Sequence, residues 1–223
     1  LLLLLVSFRG MGQSVSDVKN LPLREIQSSN PGKILFVYFT GDGGWNKFSQ
    51  QLVEEIKTKN NSVIVFDSRK YFWDVKTPDQ FAKDVNALLK HYLALWKLDK
   101  VAIVGYSFGA DVAAFLPTKL EKGFADRLLP MVLLSPSYSS DFEVKLSDLM
   151  GSSSKEERKY NVQEALLKST VPILCVFGTD EELYLKENLV MSSKITLKEI
   201  PGSHRYDNDV VMLTKLILDT VTQ

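Results

Sequence analysis

Short runs of consecutive apolar residues recur along this chain: 33–39 (KILFVYF), 62–66 (SVIVF), 101–105 (VAIVG), 128–134 (LLPMVLL) and 171–177 (VPILCVF), with a sixth strand-like run at 194–200. A strand that does not alternate apolar with polar residues must be covered on both faces, which is the signature of a buried parallel sheet. Between the runs the periodicity changes to that of amphipathic helices. Residues 45–57 bring Phe48, Leu52, Val53 and Ile56 to one side. A better-marked helix starts at Thr77-Pro78-Asp79-Gln80, where Thr77 can cap, Pro78 suits the first helical position and Gln80 completes a capping box. Its apolar face follows as Phe81, Val85, Leu88, Leu89, Tyr92 and Trp96. A helix is expected from Ser107 to about Leu120, and a closing one over 207–221. Strand and helix in alternation predict βαβ units, an α/β fold with a mainly parallel sheet and helices on both faces. With 223 residues, residues 18–223 suit one domain with one core.

Composition excludes several functions. The 27 basic and 27 acidic residues cancel, so nothing favours nucleic acid or broad attachment to anionic membranes. The single cysteine, Cys175, lies within an apolar run and reads as a small core residue. Leu1–Val6 followed by Ser, Phe, Arg and Gly looks like the tail of a secretory signal peptide. On that reading residues 1–17 are a leader remnant and extension, the mature chain starts near Gln13–Val18, and it works outside the cytoplasm.

Chemistry concentrates where the third run ends, in Gly105-Tyr106-Ser107-Phe108-Gly109. The G-x-S-x-G pattern between a strand and a helix makes a sharp turn with a serine at its corner, its hydroxyl free to attack a carbonyl. Serine needs a base, and the chain has two histidines. His91 points away from the apolar face of its helix and reads as a surface residue. His204, in Pro201-Gly202-Ser203-His204, follows the last strand at the end of the sheet where α/β proteins place their sites. The acid that orients the base is expected in Gly178-Thr179-Asp180-Glu181-Glu182. Position three after the glycine favours Glu181, aspartate as the commoner type favours Asp180, and the balance tilts slightly to Asp180. Ser, acid, His is the chain order of the α/β-hydrolases. The oxyanion would face the backbone N–H of Phe108 and a second N–H, of Asp42 or Gly43, in the loop Thr40-Gly-Asp-Gly-Gly-Trp45. That loop lacks the Lys-Ser/Thr of a phosphate-binding P-loop and is not G-x-G-x-x-G. The polar segment 135–160 is long for a connection and reads as either a lid or a surface loop.

At these residues the chain resembles the VirJ/AcvB family of bacterial virulence-associated α/β-hydrolases. The likeness runs through Thr40-Gly-Asp-Gly-Gly-Trp45, Tyr71-Phe-Trp73, Gly105-Tyr-Ser-Phe-Gly-Ala-Asp111, Asp141-Phe-Glu143 and Pro201-Gly-Ser-His204, and so from about Lys33 to the C-terminus. Thr40 stands where the family usually has Ser, and Arg205 where it often has a second His. The resemblance implies a periplasmic enzyme hydrolysing aminoacylated phosphatidylglycerol, notably the lysyl form, in association with type IV secretion. It also implies a carboxylate for the substrate ammonium, with Asp42 and Asp111 as candidates and Trp45 beside them. Tyr71, Phe72 and Trp73 read as an acyl pocket or as core. The residues thus predict a serine esterase without metal or organic cofactor, acting on a lipid or small acyl ester. A hydrolase-fold protein that binds secretion components, and a general carboxylesterase or thioesterase, are the alternatives.

Overall fold

The computed structural model describes residues 18–145 and 158–222. Its strands are β1 (Leu23–Ile26), β2 (Ile34–Phe39), β3 (Ser62–Phe66), β4 (Lys100–Tyr106), β5 (Met131–Leu134), β6 (Ser139–Ser140), β7 (Tyr160–Asn161), β8 (Ile173–Gly178) and β9 (Ile195–Ile200). Seven of them form one sheet in the order β1-β3-β2-β4-β5-β8-β9. All pairs are parallel except β1 with β3. The small β6-β7 pair lies apart. Every residue of β3, β5 and β8 is buried, as their unbroken apolar sequences require.

The helices are α1 (Lys47–Thr58), α2 (Ser68–Tyr71), α3 (Pro78–Trp96), α4 (Phe108–Ala113), α5 (Lys122–Ala125), α6 (Val162–Leu167), α7 (Tyr184–Asn188) and α8 (Val210–Val221). Phe48, Leu52, Val53 and Ile56 of α1 and Leu213, Ile217 and Val221 of α8 cover one face of the sheet. The apolar side of α3, together with Ala110, Val112 and Ala113 of α4, covers the other. Helix α3 starts with the capping box read from the sequence, Thr77 Oγ1 accepting from Gln80 N and Gln80 Oε1 from Thr77 N. Asn46 caps α1 and Asp209 caps α8 through their side chains.

Two differences from the sequence reading have simple causes. The helix after Ser107 ends at Ala113, and a separate 3-10 turn, Leu116–Thr118, carries Pro117, which cannot donate to a continuing helix. Strand β1 escapes the pattern because it is a four-residue edge strand with two exposed charges, Arg24 and Glu25. Cys175 is buried and free, as expected. Of the segment 135–160, residues 146–157 lie outside the described residues, as do 1–17, so the lid and leader readings fall there. The described part of 135–160 is not a loose surface loop. Phe142 is fully buried and packs on Phe72, Phe81, Phe115 and Tyr160.

Chain direction around the sheet reverses beside β2: β3 pairs on one side of it and β4 on the other. Register puts Phe39, the last residue of β2, level with Gly105 in β4. The loop after β2 and the turn after β4 therefore leave the sheet together, at the kind of switch point where such sheets bind ligands.

Candidate active site

Ser107 sits at this point with φ 53° and ψ −125°. A β-carbon makes that conformation unfavourable by roughly 1–3 kcal/mol, and it persists only where its surroundings impose it. The serine N–H is fixed to Leu134 O at 2.8 Å, and its carbonyl accepts from Ala110 and Asp111 at 2.8 and 3.1 Å. Gly109 lets the turn close. A β-carbon there would stand 2.3 Å from Phe39 O and 2.4 Å from Thr40 O, so α4 lies directly on the backbone leaving β2.

The same crowding fixes the loop after β2. A β-carbon on Gly41 would be 3.2 Å from Ser107 Cβ, so this loop passes immediately beside the nucleophile candidate. Thr40 is fully buried and its hydroxyl accepts from Ser68 N–H at 3.0 Å. A serine hydroxyl would fill that role too. Phe108 N–H, at the first position of α4, cannot have an intrahelical partner. Asp42 and Gly43 follow Gly41, the residue that passes beside Ser107. Asp42 is half-buried and Gly43 exposed.

His204 follows β9 and is held from two sides. Tyr106, next to Ser107 in sequence, donates its hydroxyl to His204 O at 3.1 Å and places its ring 5.2 Å from the imidazole. On the other side the imidazole Nδ1 lies 2.5 Å from Glu181 Oε1. The acid on His204 is therefore Glu181. Asp180, toward which the sequence reading tilted, is exposed, and its carboxylate accepts from the Thr179 hydroxyl. At the end of β8 the chain turns so that Asp180 faces solvent while Glu181, one residue on and one methylene longer, folds back beneath the histidine. Gly178 permits the approach, because a β-carbon there would be 2.4 Å from Gly202 O and 2.5 Å from Ser203 O in the histidine loop. Ser107 and His204 are not hydrogen-bonded to each other in this geometry; in unliganded hydrolases that contact is commonly long and tightens around substrate.

Glu181 is 9 % exposed. Burial alone would raise its pKa, but hydrogen bonds from His204, from Gly178 N–H at 2.6 Å and from the Ser135 hydroxyl at 2.8 Å outweigh it and hold the carboxyl below its ordinary range. Lys186 braces the turn, donating to the carbonyls of Gly178 and Thr179, each at 2.9 Å, while pairing with Glu199 at 2.9 Å.

Sequence reasoning missed Ser135 and Tyr206. The Tyr206 hydroxyl lies 2.5 Å from Ser135 Oγ and 3.0 Å from Val176 O, so a buried chain runs Tyr206, Ser135, Glu181, His204. Ser135 and Tyr206 both take left-handed backbone, φ 51° and 52°. No spacing in the sequence connects 135, 181 and 206.

Asp111 is not an open ligand for an ammonium. It is 4 % exposed and accepts from Ser137 N–H at 2.6 Å. Burial pushes its carboxyl up to about 7, against the lowering effects of that hydrogen bond and of Arg158. Tyr71 and Phe72 are core residues, whereas Trp73 is 52 % exposed. His91 is exposed.

A seven-stranded, mostly parallel sheet with helices on both faces and a strained serine at its switch point defines an α/β-hydrolase fold. Solved structures agree. Est1E from Butyrivibrio proteoclasticus, determined with ferulic acid bound, is 16% identical with a TM-score of 0.61, the match covering 91% of this chain and 96% of that one. The hydrolase olei00960 from Oleispira antarctica is 17% identical at 0.64, covering 94% and 97%. MenH from S. aureus is 13% identical at 0.67, covering 90% and 97%. At these identities the likeness establishes the fold. No curated protein matches the chain by sequence. The family described as bacterial virulence protein (VirJ) matches residues 33–223, and the chain belongs to that family.

Proposed function

We propose that this protein is an exported serine esterase using Ser107, His204 and Glu181. The observation that carries the reading is the pairing of a strained Ser107 corner with a histidine held by a buried, ionised carboxylate at the same sheet edge. Ser107 Oγ attacks an ester carbonyl while His204 Nε2 takes its proton. Glu181 keeps the Nδ1 proton facing itself and stabilises the imidazolium. The N–H groups of Phe108 and of Asp42 or Gly43 meet the developing oxyanion. Collapse expels the alcohol, which receives the proton from His204. Water then attacks the acyl-serine by the same route, releasing the acid and restoring Ser107. No step calls for a metal or organic cofactor.

Membership of the VirJ family supports an aminoacyl-phosphatidylglycerol substrate in the periplasm, the lysyl ester first, and a working environment shared with type IV secretion components. With Asp111 turned inward, Asp42 is the carboxylate left to face a substrate ammonium. The decisive experiment is labelling with a fluorophosphonate probe. Wild type should label, and Ser107→Ala and His204→Ala should not. A folded wild-type protein that does not label would turn the reading to the non-catalytic, secretion-binding alternative.

A further inference from the structure

The loop that passes Ser107 at Gly41 continues along a pocket. Gly43, Gly44 and Trp45 form one wall of this open pocket of about 610 Å³, lined also by Arg24, Asp67, Arg69, Lys70, Trp73 and Asp74. Three cations from two separate elements, β1 and α2, converge on it. Arg24 is held in place, its guanidinium 5.7 Å from the Trp45 ring centroid, as cation–π contacts hold an arginine. Gly44 leaves room for the Arg69 stem, since a β-carbon there would be 3.4 Å from both Cβ and Cδ of Arg69. Two acids share the wall with three cations, which leaves a positive excess of one. Asp67 is buried, with its carboxylate capping Lys70 N–H at 3.2 Å, and Asp74 is exposed. Among the described residues none of Arg24, Arg69 and Lys70 forms an ion pair with either acid.

We infer that this pocket is an oxyanion-binding subsite that takes the phosphodiester of the ester substrate, seated between Arg24, Arg69 and Lys70 while the scissile carbonyl lies at Ser107. The inference rests on the ester-hydrolase reading and deepens it. Cations in excess over the acids of one wall, and not paired with them, suit a group whose charge is spread over several oxygens. Trp73 at the rim offers the glyceryl portion an apolar surface. The loop 41–45 then has two tasks: its start, at Gly41, passes Ser107, and its end, at Gly44, borders the pocket, so the ester and the phosphate of one substrate would meet successive parts of the same loop.

The test is binding of glycerophosphoglycerol, a soluble phosphodiester without acyl chains, measured by titration calorimetry on the intact protein. Inorganic phosphate and phosphatidylglycerol vesicles are parallel probes. Wild type should bind the diester, and Arg69→Gln/Lys70→Gln should bind it about tenfold more weakly or worse. Arg24→Gln, on a different element, should weaken it as well. Phosphate binding as tight as the diester would assign the same cations to the free anion. Preference for the diester or the vesicles would assign them to a headgroup. Absence of binding by wild type, or equal binding by wild type and the double variant, would overturn the inference. Fluorophosphonate labelling of the same preparations keeps the two readings apart. A labelled serine without diester binding removes only the subsite, and binding without labelling removes only the hydrolase.

Discussion

Glu181→Gln is the sharpest perturbation of the site, because the geometry dictates what the new amide must do. One oxygen of Glu181 faces His204 Nδ1 and the other receives both Gly178 N–H and the Ser135 hydroxyl. If the glutamine NH2 is placed in the second position, it meets a backbone N–H that cannot turn, 2.6 Å from the oxygen it replaces. Two facing donors at that distance are prohibitive, so the NH2 turns to His204 instead. The imidazole must then present a bare Nδ1 and carry its proton on Nε2, the nitrogen that should accept from Ser107. The variant is folded but holds its base in the wrong tautomer. Loss of kcat/KM should be on the order of 10³–10⁴, or about 4–5.5 kcal/mol of transition-state stabilisation. Asp180→Asn should change it less than about twofold, since that side chain faces solvent. The assay is steady-state hydrolysis of a p-nitrophenyl ester, with circular dichroism to establish folding. A Glu181→Gln protein within about tenfold of wild type, or a collapse in Asp180→Asn, would refute the assignment.

Other consequences follow from the same contacts. Ser135→Ala removes one hydrogen bond to the Glu181 carboxylate, so activity should fall about tenfold and the acid limb of the pH–rate profile should move up; a purely structural role would lower stability without moving that limb. Gly109→Ala drives a methyl onto the carbonyls of Phe39 and Thr40 and should cost about 3 kcal/mol or more, seen as a drop of about 10 °C in Tm. Asp111 keeps its proton in the folded state up to about pH 7, whereas the unfolded chain releases it near pH 4. Wild-type stability should therefore fall as pH rises through that window, and Asp111→Asn, which still accepts from Ser137 N–H, should flatten the slope in denaturant titrations at a series of pH values. For Glu181 the direction is opposite: its folded pKa lies below the ordinary value, so its contribution is present at neutral pH and disappears as pH falls below about 4.5.

The sheet was legible because burial on both faces leaves unbroken apolar strands, and α3 because its capping chemistry is local. Ser107, His204 and the acid loop were legible as a chain order at strand ends. The acid itself was not, because which of Asp180 and Glu181 faces inward depends on how the backbone turns after Gly178, and that turn is shaped by contact with Gly202 and Ser203. Phe142 was hidden within a polar segment and finds its place only when Phe72, Phe81 and Phe115 converge on it. Ser135 and Tyr206 carry no local signal at all, since serine after a strand and tyrosine after a histidine are unremarkable until folding brings them to one carboxylate.

Backbone strain gives this site a common logic. Ser107, Ser135 and Tyr206 all hold positive φ, where glycine would rest more easily. At each position the side chain that makes the conformation costly is the one the site employs: Oγ of Ser107 at the corner, Oγ of Ser135 on the carboxylate, the Tyr206 hydroxyl on Ser135. Glycine stands instead at 109 and 178, where backbone from β2 or the histidine loop leaves no space for a β-carbon. A chain under selection for stability alone would exchange the strained serines for glycine. Keeping hydroxyls on strained backbone and glycine where strands and loops touch is what a site needs when three separate strand ends must deliver polar atoms to one buried acid and its histidine.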